Sequence, residues 1–174
     1  VRLATVIPTG GQSYWLIGMM LLITSSLLGA VNFIATIVKL RAPGMTWFRM
    51  PFFVWAQCVT AFLLLLAFPP LEDAGIMQLM DRVCDTSFFL PTGVFATGSD
   101  PMNVSGGGSP LLWHHLFWFL GHPEVYVLIL PAIGIVTEII ANNTRRPVWG
   151  YKLMVGSLLV LRFLSFIVWA HHMY

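Results

Sequence analysis

The sequence predicts an all-α fold, a polytopic transmembrane helix bundle, on three observations. Apolar residues make up 57% of the chain and charged residues only 9%, where a water-soluble protein carries about 25% charged. Four stretches, about 14–38, 51–71, 111–141 and 153–174, are apolar over a length near the roughly 20 residues a helix needs to cross hydrocarbon. The loop charges, finally, are sorted by sign from one connection to the next. In lipid each span must be helical, because an open strand would leave backbone groups without partners. No separate soluble domain and no internal repeat is found.

The first span holds Ser25, Ser26 and Asn32. Ser26 and Asn32 are six positions apart and do not share one tight stripe, so helix packing is the reading from the residues alone. The loop after it, 39–50, has Lys39, Arg41 and Arg49 and no acid. The second span contains Cys58, read as a small buried thiol. Loop 72–110 has Glu72, Asp73, Asp81, Asp85 and Asp100 against Arg82, with a polar, glycine-rich middle. Its Cys84 has no evident partner, and its Asn103-Val104-Ser105 is a chance match to a glycosylation acceptor. Loop 142–152 is basic again, with Arg145, Arg146 and Lys152. By the positive-inside rule, loops 39–50 and 142–152 face the cytoplasm and loop 72–110 faces outward. The net charge of +2 indicates no nucleic-acid partner. Val1–Gly11 has one Arg and no leading Met, and the chain stops inside an apolar run; both suggest part of a longer protein.

Ionisable residues inside a bilayer are costly and mark functional sites. The third span holds His114, His115, His122, Glu124 and Glu138; the fourth holds Arg162, His171 and His172. His114 and His115 lie at the outer end and Glu138 near the inner end, where interfacial roles suffice. The midpoint of the connection between these spans falls near Arg146. His122 lies about 24 residues before it and His171 about 25 after it, so an antiparallel hairpin brings both imidazoles to one depth. His172 approaches the same point. Three imidazoles in an apolar site suit copper or zinc better than magnesium or calcium. Pro123 and Pro131 are expected to bend the hairpin. Tyr126 follows His122 by four positions and shares its helix face, making it a candidate donor of a proton and an electron. Glu124 points elsewhere; burial in the bilayer favours its neutral acid form, able to relay protons.

His122-Pro123-Glu124-Val125-Tyr126, preceded by Leu116-Phe117-Trp118-Phe119-Leu120-Gly121, resembles the copper-site signature of haem-copper oxidase subunit I. Ile167-Val168-Trp169-Ala170-His171-His172-Met173 resembles its second signature. The similarity continues through Ser25-Ser26-Leu27-Leu28-Gly29-Ala30-Val31-Asn32-Phe33 and Pro51-Phe52-Phe53-Val54-Trp55. The resemblance implies four helices, the fourth to seventh, of a bundle of about twelve, over residues 1–174. It implies His122, His171 and His172 as ligands of the copper ion called CuB, and Tyr126 as a catalytic tyrosine covalently joined to His122. Glu124 is implied as the catalytic branching acid of the main proton-uptake route, lined by Ser25, Ser26 and Asn32. The reaction implied is four-electron reduction of dioxygen to water, with electrons from cytochrome c and coupled proton pumping. Partners are oxidase subunits II and III and membrane lipid, in a bacterial plasma membrane. Two haems are implied, with ligands on helices outside this segment, so the isolated segment is expected to be inactive. Arg162 departs from the pattern, standing where the family usually has a small residue. It costs at least ~2.5–3.5 kcal/mol at mid-bilayer, so it needs a carboxylate or a cavity, or it is an error for Gly. The loop around 90–110 is longer than in mitochondrial relatives.

A quinol oxidase shares these motifs. A nitric oxide reductase fits less well because Tyr126 is present. A proton-relay transporter would not need three histidines at one depth, and a noncatalytic membrane fragment is the remaining alternative.

Overall fold

The computed structural model describes residues 10–97, 100–104 and 106–173. Four α-helices carry the fold: α1 (Gly10–Lys39), α2 (Phe52–Val83), α3 (Pro110–Thr144) and α4 (Tyr151–Ser165). One-turn 3-10 helices occur at Trp47–Arg49 and Trp169–His172. The all-α expectation holds. The first three helices are long and apolar enough to cross a membrane.

Helix α2 is the centre of the bundle. In its most apolar window 44% of residues are buried, against 17% for α1 and 11% for α3. Helix α1 offers it one narrow stripe: Leu16, Ile23, Ala30 and Ile37, every seventh residue, are its buried positions. That is the period of a coiled-coil seam. On the other side Phe52, Ala56, Val59 and Leu63 of α2 form a core with Leu130 of α3 and Val155 and Leu158 of α4. Gly134 lets α2 and α3 approach closely. A Cβ there would sit 2.9 Å from the Ala56 Cβ and 3.1 Å from the Phe53 Cα.

Two helix bounds differ from the sequence expectation. Helix α2 was expected to stop near Leu71 but continues through Pro69 and Pro70 to Val83. Proline removes a helix hydrogen bond, yet Ala67, Leu71 and Ala74 are buried on either side, and that packing holds the helix. The loop assigned to 72–110 therefore begins only at Cys84, and several of its charges belong to α2. Glu72 accepts from the Thr24 hydroxyl (2.7 Å). Asp81 accepts from the Thr86 hydroxyl and from the Phe88 and Phe89 N–H groups, at 2.7, 2.8 and 2.9 Å. Arg82 donates to Gln12 (3.1 Å) and Ser13 (3.2 Å).

The second difference lies in the fourth span, expected to run through 153–174. Helix α4 has 15 residues, ends at Ser165, and gives way to a turn and the 3-10 helix at Trp169–His172. Ser165 is fully buried and its hydroxyl donates to the Arg162 carbonyl (2.7 Å), occupying an acceptor of the last turn. Tyr174 lies outside the described residues. Between α2 and α3 an antiparallel pair, β1 (Gly93–Thr97) with β2 (Asp100–Val104), sets Val94 opposite Asn103. Ser105, the last residue of the acceptor-like triplet, lies outside the described residues, as does most of the 1–11 segment.

Candidate metal centre

Helix α3 begins firmly. Ser109 caps it by accepting from the Leu111 N–H (3.2 Å), with Pro110 at its first position, where a missing N–H costs nothing. Three turns on, α3 presents His122, which is only 8% exposed. The break after Ser165 then turns the chain so that His171 and His172 sit on a 3-10 turn packed against α3. The three imidazoles meet. One ring nitrogen from each lies within 4.8 Å of the others, and His122 Nδ1 is 3.1 Å from His172 Nε2. Ring centroids are 4.7 Å apart for His122 and His171 and 4.1 Å for His171 and His172.

The residues fit a transition-metal ion. Nitrogens each about 2.0–2.1 Å from one ion lie at most about 4 Å apart, which the 3.1 Å pair satisfies. The full set, within 4.8 Å, needs only a small closing movement. His122 Nε2 is buried without a hydrogen-bond partner, an arrangement that is rare unless something else engages the group. Tyr126 stands one turn along α3, its ring centroid 5.0 Å from that of His122.

Aromatic rings wall the site. Trp118 stacks on His172 at 4.2 Å and 5°. Phe119 packs against Phe166 and Trp169, and the Trp169 indole N–H donates to His115 Nδ1 (3.4 Å). The sequence reading missed Trp118 and Trp169 as site residues. The position of Trp118, four before His122, was a signal that could have found it.

The description "Cytochrome C and Quinol oxidase polypeptide I" belongs to the family model that matches residues 3–174. The chain belongs to the haem-copper oxidase subunit I family. It is 44% identical to cytochrome c oxidase subunit 1 of Bacillus sp. (strain PS3), over 94% of this chain and 24% of the relative. It is 48% identical to cytochrome c oxidase subunit 1 of Cereibacter sphaeroides, over 86% of this chain and 24% of that protein. A third relative, alternative cytochrome c oxidase subunit 1 of Bradyrhizobium diazoefficiens, is 44% identical over 95% of this chain and 28% of its own length. The chain thus spans about a quarter of the length of the curated relatives it matches. Members are respiratory-chain membrane proteins, and the histidine cluster is consistent with the family's copper site.

The residues expected on a proton route do not meet one another among the described residues. Glu124, Ser25, Ser26 and Asn32 are all exposed. Among the described residues none of their side chains hydrogen-bonds to another. Glu138, expected to reach water, instead accepts from the backbone N–H groups of Phe52 (2.6 Å) and Phe53 (3.4 Å) at the start of α2. His114 lines a recess with Gln78, Asp81 and Trp113.

Arg162 has no carboxylate partner among the described residues. It lies in the last turn of α4, the end of a helix that favours a cation. Its guanidinium stands 4.9 Å from the Phe62 ring centroid, and it lines an open recess with Leu66, Leu159, Phe163 and Phe166.

Proposed function

We propose that this segment supplies the copper-holding half of the dioxygen-reduction site of a terminal respiratory oxidase. The observation that carries the reading is the meeting of three imidazoles, from elements about fifty residues apart, at one point on a transmembrane helix. His122, His171 and His172 hold the ion. Copper bound there supplies one-electron redox chemistry and, beside a haem iron, a place where dioxygen is reduced to water. The two haems take their ligands from outside this segment.

The chain's own residues have three tasks. Trp118, stacked on His172, fixes the plane of that ring, and Phe119 braces Phe166 and Trp169 on either side of the turn that leads to His171 and His172. Tyr126 holds a proton and an electron next to the ligand His122. A covalent bond between the two rings would occupy the partnerless Nε2 of His122. Its formation removes one hydrogen from each ring, with the two electrons passing to dioxygen, so mass spectrometry of the digested protein would find the two peptides joined and lighter by two hydrogens; separate peptides of full mass would sink that bond. Glu124 receives protons along a route bordered by Ser25, Ser26 and Asn32, whose other wall comes from helices outside these residues.

The electrons come from cytochrome c, a reading supported by the names of the relatives. The enzyme works with oxidase subunits II and III in a bacterial plasma membrane, with loops 39–50 and 142–152 cytoplasmic and the loop between α2 and α3 periplasmic. The deciding experiment uses the assembled oxidase whose subunit I carries this segment. Oxygen uptake is expected with reduced cytochrome c, and proton release is expected to vanish in Glu124→Gln. Uptake with quinol alone would reassign the donor. Unimpaired pumping in Glu124→Gln would remove that residue from the route.

A further inference from the structure

At the other end of α3 a second constellation plays no part in that chemistry. Arg41 comes from the connection after α1 and Lys152 from the first turn of α4, yet both settle on the 3-10 turn Trp47–Arg49. The Arg41 guanidinium is 4.1 Å from the Trp47 ring centroid, and the Lys152 ammonium is 5.4 Å from that of Phe48. Arg49 is on the same turn and exposed. The turn itself is tied down. The Trp55 indole N–H donates to the Trp47 carbonyl (2.9 Å), and the Tyr151 hydroxyl donates to the Met50 carbonyl (2.6 Å). Segments 39–51 and 142–152 contain six Lys and Arg residues and no acid. Glu138, the nearest acid in sequence to either segment, is committed to the start of α2.

Three cations gathered on one turn without a carboxylate repel one another. The turn lies where apolar helices end, Trp47 is a residue type of the membrane-interface belt, and Phe48 beside it is half exposed. We propose that this platform binds the phosphate of an anionic phospholipid of the adjoining leaflet. Arg41, Arg49 and Lys152 share the phosphate oxygens, and Trp47 and Phe48 lie at headgroup level. An anionic headgroup fits better than an acidic protein segment because the rings beside the cations are themselves partly exposed and apolar. The cation–π contacts hold Arg41 and Lys152 in place before the lipid arrives, lowering the ordering cost of binding.

The test uses the assembled oxidase whose subunit I carries this segment, stripped of lipid in detergent. It is titrated separately with phosphatidylglycerol and phosphatidylcholine, and bound lipid is counted by native mass spectrometry. Lys152→Gln and Arg49→Gln, both at exposed positions, should each weaken phosphatidylglycerol retention roughly fivefold, the equivalent of about 1 kcal/mol per charge. Phosphatidylcholine retention should not change. Arg145→Gln, at the cap of α3 and off the platform, should leave both lipids bound as before. The proposal is overturned if both lipids are lost equally, if neither platform variant loses phosphatidylglycerol, or if Arg145→Gln loses as much. A cross-link from Lys152 to an acidic side chain of another subunit would overturn it too.

Discussion

At His122, three rings from two separate elements close on one point within 4.8 Å. Two residues further along the same helix, Glu124 faces outward with no hydrogen-bond partner among the described residues. The difference is one of walls. The three ligand nitrogens all come from α3 and the chain after α4, so the donor set is complete among these elements even though His171 is exposed. The face of Glu124, like Ser25, Ser26 and Asn32 on α1, has no opposing wall here. A ligand cage can be local to one hairpin, whereas a proton route must be continuous along several helices.

The comparison breaks most readily at the cage. His122→Ala in the assembled oxidase should lower copper affinity beyond the 10–100-fold typical of outer-shell changes and abolish oxygen uptake, read by metal analysis and oximetry. Retained copper with full activity would show that the cage is not the site. Gly134→Val sharpens it from the packing side. Its methyls meet the α2 backbone at Phe53 and the Ala56 side chain, so stability should fall by about 1–3 kcal/mol, measured as a lowered midpoint of thermal unfolding. An unchanged midpoint would mean that the α2–α3 seam yields. Arg162→Leu should do the opposite and stabilise the subunit by about 1–2 kcal/mol, because the helix-end and ring contacts offset only part of the insertion cost. A loss of stability there would reveal a carboxylate supplied from beyond the described residues. The smallest effect belongs to Glu138→Gln, which keeps an acceptor for the Phe52 N–H but removes its charge at the start of α2. About 0.5–1 kcal/mol is expected, with copper content unaffected; a drop in copper would tie that end of α3 to the cage.

Much of this was legible in the sequence. Hydropathy located the spans, because lipid leaves a buried backbone no alternative to helix. Counting outward from one connection brought His122 and His171 together, although the residues between Ser165 and His171 are not the α-helix that the count assumed. What was not legible depends on contacts between distant residues. Nothing in the run from Phe166 to Trp169 signals a helix end; hydropathy is the same for a helix as for the turn that replaces it. The passage of α2 through Pro69 and Pro70 reflects burial of Ala67, Leu71 and Ala74 against its neighbours, which outweighs a strong local breaker. Trp118 escaped notice because stacking on His172 across the fold leaves no mark in hydropathy. Glu138 was read by its depth alone, and its true partners, the Phe52 and Phe53 N–H groups, begin a helix more than eighty residues earlier.

The division of the cage between two elements also sets an order of events during synthesis. His122 leaves the ribosome on a helix that offers a single nitrogen to the site, and one imidazole cannot retain an ion against cellular chelators. The two remaining nitrogens arrive together, on a turn that exists only after α4 has ended at Ser165 and folded back against α3. An ion that needs all three nitrogens is therefore bound only after this hairpin has closed.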